Sequence, residues 1–304
     1  MIAQRTLNKA VLATTTSSDL GDELSLLLRP GGADSGIRVN LSDPTGRLTL
    51  RISPQNTGAT LRSLACACDQ GHLFLIRGLL SAFAGLGIDN ARVDITTRAL
   101  SIRRLQTGHF VSLLQTAGLK LQASPRRFVR VKRRVTVEDG DRKAVLEPFD
   151  GFMLALSTSV DPPSFSGWKD AVFAAHSDTL LVNLGRSPAT ALLYGSKTKG
   201  IQRPRSAPTE VTCPSARDRE SDPPCRERAA YQTALQKDTL WGAIGDLYLL
   251  GRALIGAFIG LRSDPALNCR LLQQLIADPA AWEEVTFENE GGIPLSYAPP
   301  VRTG

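Results

Sequence analysis

Leu240, Ile244, Leu247, Leu250, Leu254, Phe258 and Leu261 recur at intervals of three and four. That spacing puts every one of them on a single face, and it predicts a long core helix across residues 240–261. The same stretch is the strongest membrane-spanning candidate in the chain, but Asp246 and Arg252 lie inside it and glycine recurs along it. Charges at those depths are costly in lipid, so a buried amphipathic helix is the expectation.

A second helix is expected to start at Asp264-Pro265, a cap followed by proline at the first position. Leu267, Leu271, Leu272 and Leu275 continue it, and Asp278-Pro279 stops it. In the first half, Leu24 to Leu28 and Leu48 to Ile52 read as strands bounded by turn chemistry at Arg29-Pro30-Gly31-Gly32 and Asp43-Pro44-Thr45-Gly46. Ile76, Leu79, Leu80, Phe83 and Ala84 then take helical spacing, which Gly85-Leu86-Gly87 ends before a strand at Arg92 to Ile95. Phe110 to Ala117 resumes the helical period, with Gly118 as its stop.

Pro125 to Val135 alternates Val129, Val131 and Val135 with basic residues and reads as one half-buried strand with a solvated, charged outer face. Glu138-Asp139-Gly140-Asp141 turns the chain so that Ala144 to Leu146 pairs back, and Gly151 to Leu156 continues the sheet. Residues 187–229 break this texture with clustered Pro, Arg and Ser, as a long irregular insert would. Each half thus runs from strands into a pair of helices. The expected class is α+β, two domains of a duplicated strand-helix-helix-strand type, each with two helices on layered β-sheets. Their bounds are 1–123 and 124–304.

The 304 residues carry a net charge of +7. That balance attracts anions non-specifically, yet arginine is spread along the chain and aromatics are sparse, so nucleic acid is not expected as a partner. The start Met1-Ile2-Ala3-Gln4-Arg5 lacks the apolar stretch of an export signal, and a cytoplasmic location is expected. The cysteines, Cys66, Cys68, Cys213, Cys225 and Cys269, are odd in number and irregularly spaced, as reduced thiols are. Cys66-x-Cys68 has no companion pair to complete a zinc site.

Several segments occur together in order: Gln4-Arg5-Thr6-Leu7, Leu28-Arg29-Pro30, Ala84-Gly85-Leu86-Gly87-Ile88-Asp89-Asn90, Val137-Glu138-Asp139-Gly140-Asp141, Ala243-Ile244-Gly245-Asp246-Leu247, Ile255-Gly256-Ala257-Phe258, Ala266-Leu267-Asn268 and Ala281-Trp282-Glu283-Glu284-Val285. With them the chain resembles the UDP-3-O-acyl-N-acetylglucosamine deacetylase family, zinc amidases of lipid A biosynthesis. The resemblance implies two domains with the active site between them. It also implies a zinc held by two histidines and an aspartate, a glutamate base, and a lysine and a further histidine that stabilise the oxyanion and protonate the leaving amine.

The residues standing in those places depart from the family. Its Glu-His pair reads Arg77 and Gly78, and its His-x-x-x-Asp pair reads Asp238 and Gly242. Its lysine falls on Thr239 and its second histidine on Pro265. A glycine-rich segment reads Thr15 to Asp19, and a Met-Asp-Gly-Ser loop reads Arg103 to Gln106. Asp246 is retained, as an orienting or inter-helix hydrogen-bonding residue, and Thr190 is the candidate substrate contact.

The histidines, His72, His109 and His176, are not spaced to share a helix face. The expectation is therefore a noncatalytic homologue with no bound zinc. Its candidate partners are the active deacetylase, that enzyme's protease adaptor, or an acylated UDP-sugar. Two alternatives stay open: an active zinc deacetylase with substituted ligands, and a decaying paralogue without function.

Overall fold

The computed structural model describes residues 1–17, 22–44, 46–60, 70–97, 107–157, 179–183 and 241–288. The insert at 187–229, Asp238, Thr239, Thr190, Arg103 to Gln106 and His176 lie outside the described residues, as do the side chains of Thr15 to Asp19, His72 and His109.

The first half opens with β1 (Ala3–Leu7), β2 (Val11–Ser17), β3 (Asp22–Pro30), β4 (Ile37–Asp43) and β5 (Gly46–Ile52). Helix α1 (Gln70–Leu86), β6 (Ala91–Thr97), α2 (Thr107–Ala117) and β7 (Leu119–Pro125) follow. Strands β2 to β6 form a five-stranded sheet in the order β2-β3-β6-β4-β5, antiparallel except where β4 runs parallel to β6. Its inner positions, such as Leu28, Val39, Leu50 and Val93, are buried and alternate with polar residues, the pattern of a sheet covered on one face. The two helices pack against each other, and β1 pairs separately with β7.

The spacing that predicted α1 is real: Leu75, Ile76, Leu79, Leu80 and Phe83 are all buried. The helix ends because Gly87 takes a left-handed conformation (φ 65°), which lets Gly87 N–H reach Ala84 O and Ile88 N–H reach Phe83 O. These two bonds close a Schellman cap that satisfies carbonyls otherwise left open at a helix end.

The second half contains β8 (Phe128–Val131), β9 (Val135–Asp139), β10 (Arg142–Glu147), β11 (Phe152–Ser157) and β12 (Thr179–Asn183). Residues 241–247 form a helix, α3, continued by a 3-10 turn at Tyr248–Leu250. Then come β13 (Ala253–Leu261), α4 (Pro265–Ala277) and β14 (Trp282–Val285). The sheet order is β12-β11-β13-β10-β9, with β8 also on β13 and β14 on β8. Helices with mixed sheets make this an α+β fold.

Two expectations are corrected. The apolar stripe at 240–261 is not one helix: it holds α3, a 3-10 turn and β13. The reversal is set by Gly251 (φ 67°), where an added Cβ would meet Ile52 O at 2.5 Å, so only glycine lets the chain turn there. Strand β13 pairs with β10, β11 and β8 and is buried from Ala253 to Ile259 on both faces. A strand covered on both sides reads as a continuous apolar run, in which helical spacing can be found by coincidence. The basic segment 125–135 is likewise two strands, because Lys132 and Arg133 break away to donate their N–H groups to Ala281 O. Among the described residues no helix is long and apolar enough to cross a membrane.

Candidate functional site

The structure brings Arg77 of α1, which precedes Gly78, together with Gly242, Gly245 and Asp246 of α3. The two helices approach backbone to backbone at Gly245 and backbone to side chain at Gly242 because both residues are glycine. A Cβ on Gly245 would lie 2.1 Å from the Arg77 carbonyl oxygen, so no larger residue fits that crossing. One turn earlier, a Cβ on Gly242 would lie 2.6 Å from Arg77 Nη2. The guanidinium thus passes directly over the bare backbone at Gly242.

Arg77 ends on Asp246. Its Nε donates to Oδ1 at 2.5 Å and its Nη2 to Oδ2 at 2.9 Å, a bidentate fork that only a planar guanidinium can make. Asn268 Nδ2 donates a third bond, to Oδ2 at 2.8 Å. The Asp246 side chain is 1% exposed and that of Arg77 18%. Burial pushes the Asp246 carboxyl above the ordinary carboxylate range, while Arg77 and Asn268 pull it back. Asp246 is therefore an acceptor that ties α1, α3 and α4 together.

Pro265 opens α4 as its first residue, behind Asp264, whose Oδ1 accepts from Leu267 N–H at 2.8 Å. That cap sets the phase of α4 so that Asn268, one turn on, faces Asp246. Neither Asn268 nor its neighbour Cys269 was singled out as a site residue from sequence. Counting one turn from the Asp264 cap would have found Asn268. Burial, and then the Asp246 charge, push the Cys269 thiol up to about 12, so it is protonated and a poor nucleophile at neutral pH.

A second polar cluster sits at the C-terminal end of α1, on the Gly-Ile-Asp-Asn segment. Asp89 accepts from Arg126 Nε at 3.0 Å and from the Arg5 backbone N–H at 2.9 Å. Asn90 donates to Gln4 Oε1 and Gln122 Oε1, both at 2.7 Å, and accepts from Gly36 N–H. Tyr248 donates its hydroxyl to Ile88 O at 2.8 Å, joining this cluster to the turn after α3. These bonds satisfy nearly every polar group they bury, which is the mark of a structural network.

Where α1, α3 and α4 meet, the Asp246 carboxylate thus accepts from Arg77 and Asn268, and the Cys269 thiol beside it is protonated.

A family model described as LpxC, UDP-3-O-acyl N-acetylglycosamine deacetylase, matches residues 4–185. Curated relatives named UDP-3-O-acyl-N-acetylglucosamine deacetylase match from end to end. One from Marinobacter nauticus is 35% identical over 309 residues, covering 99% of this chain and 99% of its own. One from Thioalkalivibrio sulfidiphilus is 36% identical over 309 residues with the same coverage, and one from Nitrosococcus oceani is 36% identical over 313. By this match and by its α+β fold, the chain belongs to the UDP-3-O-acyl-N-acetylglucosamine deacetylase family.

Proposed function

We propose that this chain is a noncatalytic member of the family that acts by binding within lipid A biosynthesis in the cytoplasm. The observation that carries the reading is the Arg77–Asp246 pair. Zinc does not fit the described groups. Of the family's ligand places, Gly78 and Gly242 have no side chain, and the Arg77 guanidinium, which lies over Gly242 on its way to Asp246, would repel a divalent ion there. On this reading Arg77 replaces the general base with a fixed positive charge, and Gly78 and Gly242 contribute no ligand atom. Pro265 cannot donate a proton.

Asp238 and Thr239, the remaining family places, and Thr190, the proposed substrate contact, belong to the same reading and lie outside the described residues. The boundary we propose between two domains, at residues 123 and 124, falls inside β7. As partners, the active deacetylase or its protease adaptor rank above an acylated UDP-sugar, because the family's acyl passage corresponds to the altered insert. Co-purification of the active deacetylase with the tagged chain supports this order. Saturable binding of the UDP-sugar with no co-purifying deacetylase or adaptor reverses it.

The second reading, an active zinc deacetylase, draws support from identity above 30% along the whole chain. It predicts about one zinc per chain and acetate release that a chelator abolishes. The purified full chain, assayed for both, separates the two: no chelator-sensitive acetate release is expected.

A further inference from the structure

The outward face of the five-stranded sheet carries a row of arginines with little to neutralise it. Register sets Arg29 of β3 opposite Arg92 of β6, Arg92 opposite Arg38 of β4, and Arg38 opposite Arg51 of β5. With strands about 4.8 Å apart, four guanidinium-bearing residues start on one line of roughly 15 Å. Arg47 of β5, four residues before Arg51, points to the same side.

Arg29 is paired with Asp94, which also accepts from Asn40 Nδ2. Among the described residues no carboxylate pairs with Arg38, Arg47, Arg51 or Arg92. Arg38 Nε is buried without a hydrogen-bond partner. Like charges placed directly opposite destabilise a sheet, so the row does nothing for the fold. An extended anion laid across it would supply the missing acceptors.

The rest of the face selects the kind of anion. Leu12 of edge strand β2 stands opposite Leu27 of β3, on the arginine side, and is 62% exposed. No aromatic residue occurs in β2 to β6, so bases would find nothing to stack on. A broad cationic plane with an apolar residue at its edge fits a membrane interface, where arginines meet lipid phosphates and leucine enters the acyl boundary. We propose that this sheet face docks on an anionic phospholipid bilayer. The proposal rests on no part of the Arg77 reading.

The test is co-sedimentation of the full chain with phosphatidylcholine vesicles, with and without phosphatidylglycerol. Binding is expected only to the anionic vesicles and is expected to fall with salt. The triple variant R38S/R51S/R92S should lose about 100-fold in partitioning, each basic residue being worth about fivefold near an anionic surface. Its thermal midpoint should not fall, because it relieves repulsion. The control K9S/K120S/R133S removes the same charge from exposed positions elsewhere and should lose far less. If the triple variant fails to fold, exposed Arg92→Ser alone should lose about fivefold. Equal losses in both triples, equal binding to neutral and anionic vesicles, or binding to a single-stranded oligonucleotide that is tighter than to anionic vesicles at the same salt would overturn the proposal.

Discussion

Helix α1 is flanked by two arginine–aspartate pairs, each with a buried carboxylate, that differ in what else depends on them. At its C-terminal end, Arg126 and Asp89 are 6% and 3% exposed, and each has further work. Asp89 also anchors the Arg5 backbone, while Arg126 lies over the Phe128 ring at 5.3 Å and presses its nitrogens against Gly87. At mid-helix, Arg77 and Asp246 answer mainly to each other, with Asn268 as the single additional donor among the described residues. The first pair is part of the scaffold that makes the fold. The second closes a place where two helices would otherwise leave a buried carboxylate uncompensated, and it is the place on which the proposed loss of catalysis rests.

Breaking either pair by removing its cation should have the largest effect. Arg77→Met and Arg126→Met each strand a buried carboxylate and should cost about 3–5 kcal/mol in urea unfolding. The double variants sharpen the contrast. R77M/D246N should recover more than half the loss, since asparagine keeps an acceptor for Asn268 and carries no charge. R126M/D89N should recover little, because the contacts with Phe128 and Gly87 are still missing. Equal recovery at the two sites would show that they are the same kind of pair.

The glycines come next. Gly245→Ala must push α3 off the Arg77 backbone and should cost about 3 kcal/mol, the upper range for overpacking. Gly242→Ala meets only the end of a flexible side chain and should cost about 1 kcal/mol or less by the same measurement. A Gly242→Ala cost as large as that of Gly245→Ala would mean the guanidinium is held more rigidly than its neighbours explain.

Asp264→Ala removes the cap that phases α4 toward Asp246 and should cost about 1 kcal/mol in thermal unfolding. Smallest of all, Glu283→Gln on the half-exposed Arg130 and Lys132 pairs should change stability by less than about 0.5 kcal/mol, as exposed ion pairs do.

How much of this could be read in advance depends on what signals an element leaves in one dimension. Helices α2 and α4 were legible because one face is buried and the other is not, so the 3.6-residue period survives in Leu267, Leu271 and Leu275; α1 is buried nearly all round from Gly78 to Leu86, and its period shows because the small residues Gly78, Ser81, Ala82 and Ala84 separate Ile76, Leu79, Leu80 and Phe83. Strand β13 was not, because burial on both faces erases the alternation that marks a strand. The break in the basic segment was hidden for another reason: it depends on Ala281, about 150 residues away, accepting two backbone N–H groups. Arg77, Gly242 and Asp246 were visible as substitutions or survivals within motifs. That Arg77 reaches Asp246 was not, since it follows from how closely the glycines let α1 and α3 approach.

The central claim is that the Arg77 guanidinium, forked onto Asp246, leaves no seat for zinc. Metal content of the purified full chain by mass spectrometry, before and after dialysis against zinc, tests it most directly. The account predicts far less than one zinc per chain in both samples. About one zinc per chain, removable by chelator and restored on dialysis, would contradict it.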